Sequence, residues 1–304
     1  MSSKLFLLTL FALCVSSPAY ALGDRTNCPD QWANPAHDIC NPLRYIPNKA
    51  LNILAAALFF FVAIILTIWA VKRKANYFLA MVIGAWTEGV GFVLRVILRK
   101  HVHSVPLYVV CNLFIILSPC AFLAADYVLL GRLVQHLNAH ECIRPLKAKR
   151  ISLMFILSDV TTFIIQAIGG ALAVSQDKAI LGGHILLAGI VAQMVSFIFF
   201  TIVCFLFGLR VRSQAKDIWA TPGWKALYSA LLFTCICFLI RSVYRTVELA
   251  QGYVGYLATH EAYLLGLDSL PLLLGIASYA WFWPGRYLRF DQRMKGLEDG
   301  VEMR

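Results

Sequence analysis

Seven ionisable residues lie within long apolar runs, where a lipid-embedded helix has little reason to carry them: Glu88, Asp126, Asp159, Arg241, Arg245, Glu248 and Asp268. Carboxylates and guanidiniums at such depths are costly and by default mark a site or a pathway. The chemistry on offer is charge pairing and head-group binding. The densest set lies near the end of the sixth apolar run, where Arg241, Arg245 and Glu248 recur at i, i+4 and i+7 on one helical face. Arg245 and Glu248, three apart, are neighbours able to pair. Snorkelling to lipid phosphates would account for an arginine alone; Glu248 on the same stripe favours a built site. Glu261 and Asp268, entering the seventh run from the same side, share a face and would complete an acidic and basic rim.

The other polar residues sit deeper. Glu88 falls near the middle of the second run, and Arg95 is on the same face about two turns nearer the outside. They are too far apart to touch, so Glu88 needs a partner on another helix or a proton. A structural interhelical hydrogen bond and a functional role both fit it. Asp126 and Tyr127 lie near the inner end of the third run, ahead of Arg132. Asp159 and Gln166 share a face of the fourth run, and Gln193 adds an amide inside the fifth. Facing one interior, these positions would form a polar track from the inner leaflet level to the outer rim.

The elements that must hold them are membrane spans. The chain is 60% hydrophobic and only 14% charged over 304 residues, which is outside the range of soluble domains. About 20 apolar residues cross the hydrocarbon layer. Runs of that length predict spans over 50–71, 77–98, 106–131, 151–173, 183–209, 226–248 and 262–284. At the start of the chain, Lys4 precedes an apolar stretch over 5–15, and Ala19-Tyr20-Ala21 follows. That pattern predicts a signal peptide over 1–21. Residues 22–49 then form an extracytoplasmic segment, 50–285 the membrane domain and 286–304 a cytosolic tail. In an oxidising compartment Cys28 and Cys40 of that segment suit a disulfide.

Lys and Arg in the connections set the orientation. Lys72, Arg73 and Lys74, then Arg132, Arg144, Lys147, Lys149 and Arg150, then Arg210, Arg212, Lys216 and Lys225 all fall on one side. The tail adds Arg286, Arg289, Arg293 and Lys295, and the connections on the opposite side hold only Arg99, Lys100 and Lys178. The expectation is an all-α integral membrane protein, a seven-transmembrane-helix bundle with its N-terminus outside and its C-terminus cytosolic. The net charge of +11 is then a topology signal and a lipid-facing collar, with no call for nucleic acid. Ser118-Pro119 and Leu270-Pro271 are expected to break the third and seventh spans. Gly169 and Gly170 are expected to let the fourth approach a partner closely.

Several spaced strings carry a resemblance. They are Glu88-x-x-Gly91-Phe92-x-x-Arg95, Leu117-Ser118-Pro119 with Ala124-Ala125-Asp126-Tyr127-x4-Arg132, and Ser158-Asp159 leading to Gln166-x-x-Gly169-Gly170. With them go Arg241-Ser-x-Tyr244-Arg245-x-x-Glu248-x-x-Gln251-Gly252, then Glu261 and Asp268. In this order, over about residues 50–290, the chain resembles the fungal lipid-translocating exporter family, also called RTA-like. That family includes sphingoid long-chain-base exporters and 7-aminocholesterol-resistance proteins. It departs from the pattern at Trp283-Pro284, where a His is expected before the proline. The resemblance implies a plasma-membrane or other endomembrane location, a link to stress or drug resistance, and movement or sensing of amphipathic lipids.

The leading reading is a translocator of sphingoid-base or sterol-like lipids, with Glu88, Asp126 or Asp268 as transient counter-charges to a moving head group. No glycine is followed by lysine, so no Walker A motif is present and no cofactor is expected. Membrane lipids and a small amphipathic substrate are the expected partners. A seven-helix lipid sensor whose basic inner loops meet a cytosolic protein fits the topology equally. An intramembrane hydrolase would need convergent ligands, whereas His136, His140 and Glu141 lie in a basic loop and His101, His103, His184 and His260 near the other surface. No enzyme activity and no metal are expected.

Overall fold

In hydrocarbon a backbone must satisfy its own polar groups, which leaves a chain with runs this long and apolar to cross as helices. The computed structural model describes residues 32, 38, 40–73, 75–143, 148–173, 179–220, 223–251 and 255–287. Within them are seven helices long and apolar enough to cross a membrane: α1 (Lys49–Arg73), α2 (Asn76–Leu98), α3 (Pro106–His136), α4 (Arg150–Leu172), α5 (Ile180–Gln214), α6 (Trp224–Ala250) and α7 (Glu261–Tyr287). The expected spans are therefore present, and the chain is an integral multi-pass membrane protein. α3 and α5 run past their expected ends at 131 and 209, because the helix continues after the apolar stretch stops. Asn138, at φ 49°, ends α3 in a left-handed turn in which Ala139 N–H donates to the Val134 carbonyl at 3.1 Å.

Each helix packs on the next in sequence, and α7 returns to α1, so the seven close into a ring. Their outward faces are apolar and exposed, as at Phe61, Ile83, Leu157, Phe205 and Ile236, which suits lipid. The ring is filled by aromatics where α3, α4, α5 and α6 meet: Tyr127 stands edge-on to Phe200 at 4.5 Å and Phe122 stacks on Phe238 at 6.0 Å.

The two prolines act differently from each other. Contrary to expectation, Pro119 does not break α3, which stays helical on both sides of it. Ser118 Oγ donates to the Phe114 carbonyl at 2.6 Å, supplying a donor next to the N–H that proline lacks. In α7, Leu264–Ser269 is a π-helical stretch directly before Pro271. One wide turn absorbs the missing bond, and it carries Asp268. The two glycines also differ. A Cβ on Gly169 would sit 2.8 Å from Leu186 Cα and 3.0 Å from the Gly182 carbonyl, so α4 and α5 touch there, but Gly170 has nothing within 4 Å and faces a cavity.

Both ends of the ring hold basic residues over aromatic rings. At one end, the mouth, Arg99 lies over Trp32 at 5.3 Å; at the other end, richer in Lys and Arg, Arg132 lies over Tyr77 at 4.0 Å, Arg286 over Trp69 at 4.0 Å and Lys225 over Trp219 at 4.9 Å. The mouth is crossed by the segment that leads into α1. Arg99 Nη1 donates to the Pro47 carbonyl at 2.6 Å, Arg95 bonds the Tyr45 hydroxyl, and His103 Nε2 meets Asp38 Oδ2 at 2.6 Å. Cys40 is disulfide-bonded. Cys28, like the leader over 1–21 and the tail beyond 287, lies outside the described residues, so the Cys28–Cys40 pairing stays an expectation.

Candidate functional site: a charged cavity below the mouth

α6 and α7 cross-link through one carboxylate. Asp268, fully buried on the wide turn of α7, accepts from Arg245 Nε at 2.7 Å and from Arg245 Nη2 at 3.0 Å. This is the two-pronged geometry that suits a guanidinium to a carboxylate. Arg241, one turn back along α6, brings Nε to 3.0 Å from Asp268 Oδ1. Arg245 Nη1 donates to Glu248 Oε2 at 3.1 Å, as the local spacing predicts. Asp268 thus faces two guanidiniums, and Glu248 offsets part of the remaining charge.

A second cluster ties α7 to α1 and α2. Glu261 accepts from the Asn48 backbone N–H and from Asn52 Nδ2, each at 2.6 Å, and its Oε1 lies 3.5 Å from Arg95 Nε. Glu261 and Asp268, expected to form one rim, therefore serve different partners.

Between α3, α4, α5 and α6, below Pro42, Leu43 and Tyr45 of the crossing segment, lies a cavity of about 350 Å³. That falls in the lower part of the range for small-molecule pockets. Its charged lining is Arg95, Arg241, Arg245 and Glu248, and its polar lining includes Gln166 and Gln193. The two amides bond each other, Gln166 Nε2 to Gln193 Oε1 at 2.8 Å. The rest of the wall is chiefly apolar, with Leu113, Ile116, Leu123, Phe163, Leu186 and Ile190.

The remaining residues singled out from the sequence are buried away from that lining. Asp126 Oδ1 accepts from the Tyr279 hydroxyl at 2.8 Å, and Asp159 Oδ2 accepts from the Tyr127 hydroxyl at 2.7 Å. One oxygen of each carboxyl has no partner. Glu88 is fully buried and neither of its oxygens has a hydrogen-bond partner. It sits within electrostatic reach of Asp268, Arg241 and Arg245. The structure thus gathers Arg95, Gln166, Gln193, Arg241, Arg245 and Glu248 on one cavity, with Asp268, Glu261 and Glu88 behind it. Asp126, Tyr127 and Asp159 form two separate tyrosine–carboxyl pairs. Among the described residues no three His, Cys, Asp or Glu side chains converge as a metal would need.

Sequence reasoning passed over Tyr45, Asn52, Asp38 and Tyr279. Asn52 did carry a signal, being a lone amide in the first turn of an apolar helix. Tyr279 carried none, since its partner is 153 positions away.

Comparison with known proteins decides the lineage. A family model described as RTA1 like protein matches residues 81–291. The chain belongs to the RTA1 like family. Over 211 residues it is 32% identical to Protein RTA1 of Saccharomyces cerevisiae, covering 69% of this chain and 66% of that protein. It is 27% identical over 206 residues to Protoporphyrin uptake protein 1 of the same yeast, covering 67% of each. It is 25% identical over 280 residues to the yeast Sphingoid long-chain base transporter RSB1, covering 79% of this chain and 72% of that one. The chain spans just under two thirds, 66%, of Protein RTA1 and of Protein RTM1, another yeast relative. No solved structure matches. The family match covers the cavity-lining residues of α2 to α7 but begins after α1 and the crossing segment, so Tyr45, Asn48 and Asn52 of this RTA1 like chain lie before the matched region.

Proposed function

We propose that this RTA1 like protein moves amphipathic lipids between the leaflets of a membrane, the plasma membrane first among them. One observation supports it above the rest: a cavity with an apolar wall and a charged mouth, inside a ring of seven helices. A polar head group in such a site keeps hydrogen-bonding partners while its tail stays against hydrocarbon. The relatives named for sphingoid-base transport and protoporphyrin uptake agree with transport of amphiphiles. The excess of Lys and Arg at the other end supports an orientation with the mouth outside and the basic end in the cytosol.

The test is leaflet exchange of a fluorescent single-chain lipid in vesicles holding the purified full-length protein, with and without a pH gradient. Acceleration over protein-free vesicles is expected. Rates no faster than those of protein-free vesicles under both conditions would leave the sensor reading in its place.

A further inference from the structure

We propose that the cavity is a binding site for the anionic head of an amphiphile, a carboxylate or a phosphate, with Arg241 as its main ligand. The inference deepens the transport reading and rests on it for the entry of a lipid, but it is tested by binding alone.

The wall charges carry the argument. Of the four ionised side chains lining the cavity, Arg95, Arg241 and Arg245 are cationic and Glu248 alone is anionic. The carboxylates that offset the arginines, Asp268 and Glu261, are not among the lining residues; they hold the guanidiniums from behind. An ammonium head entering the cavity would meet one carboxylate, already bonded to Arg245. An anionic head would meet three guanidiniums.

Arg241 has the most donors to spare. Arg245 commits three nitrogens to Asp268 and Glu248. Arg95 spends Nη2 on Tyr45, and its Nε lies 3.5 Å from Glu261 without hydrogen-bonding it. Arg241 forms its ion pair with Asp268 alone, and its Nε, although 3.0 Å from the carboxylate, is not aligned to hydrogen-bond it. Among the described residues no acceptor takes either terminal nitrogen of Arg241. The side chain lies nine residues before the end of α6, about 13 Å along the helix, too deep to be merely an interfacial anchor. A planar fork of unused donors opening on a cavity matches the two oxygens of a carboxylate or phosphate. In the same cavity, Leu113, Ile116, Leu123, Phe163, Leu186 and Ile190 offer an apolar wall for the tail.

The experiment titrates the purified full-length protein with three probes that share one tail: dodecanoate, dodecyl phosphate and dodecylamine. Isothermal titration calorimetry is expected to find both anions, or the better of the two, at least about tenfold tighter than the amine, as one charged hydrogen-bonding contact is worth. The order of the two anions names the head. Arg241→Gln is expected to remove that preference, and Arg241→Lys to restore only part of it, since charge returns without the fork. Glu248→Gln is expected to tighten anion binding, a gain that a misfolded protein cannot imitate. Amine binding as tight as that of the better anion, an Arg241→Gln protein with its preference intact, or weaker anion binding in Glu248→Gln would each overturn the inference. Anion binding without leaflet exchange would sink the transport reading and leave this one standing; exchange without anion preference would do the reverse.

Discussion

Asp268 answers to two guanidiniums, and removing its charge leaves both without their common partner. A buried ion pair broken from one side costs about 3–5 kcal/mol, because the surviving charge stays desolvated. Asp268→Asn is therefore expected to lower the melting temperature of the purified protein strongly, and Asp268→Asn with Arg241→Gln to recover part of the loss. A double variant no more stable than the single one would show that Arg241 does not depend on Asp268. Glu88 poses the opposite case. It has no well-aligned hydrogen bond to lose, and an amide can keep the looser approach to Ser118, so Glu88→Gln should leave thermal stability nearly unchanged, yet abolish lipid movement if its charge works with the neighbouring cluster. A clear fall in melting temperature would instead make Glu88 a structural joint between helices. The sequence made the Arg245–Glu248 pair plain because i, i+3 geometry is local. It could not assign Asp268 to Arg245, 23 positions away, or Glu261 to Asn52, 209 away, because those contacts exist only once the ring closes.

At the scale of helices, glycine and proline keep the same chemistry but differ in consequence according to what faces them. A methyl group on Gly169 would press on the Leu186 backbone, whereas on Gly170 it would meet open space. Gly169→Ala should cost about 1–3 kcal/mol, the usual range for overpacking, and Gly170→Ala should be close to neutral in thermal unfolding. Equal effects would mean that α4 and α5 can slide apart without loss. Adjacent glycines look alike in a sequence, and only the rotation of α4 against α5 separates them. The prolines make the same point. Pro119 lies in a helix that absorbs it, with a serine hydroxyl alongside. Pro271 is preceded by a wide turn that sets Asp268 among the arginines. The number of spans could be read directly, since length and hydropathy suffice for it. The turn type could not, because it depends on how neighbouring helices receive the freed carbonyl.

For the whole molecule the open matter is which end of the ring faces the cytosol, and the charge distribution bears on it. Lys and Arg collect at the end where Arg132, Arg286 and Lys225 lie over aromatic rings, the arrangement expected where cationic side chains meet an anionic leaflet. The cavity opens towards the opposite end, under residues 42–45. If the basic end is cytosolic, a lipid bound near Arg241 sits in the outer half of the bilayer, and the cavity serves release to, or capture from, that side. The sequence holds no Asn-x-Ser/Thr site, so glycosylation can report the orientation without background. An acceptor site on a short flexible insert between Leu43 and Arg44 is expected to be modified in a eukaryotic host, and the same insert between Asn138 and Ala139 is not. The opposite pattern would place the mouth in the cytosol, turn the cavity towards the inner leaflet, and reverse the direction of any movement it supports.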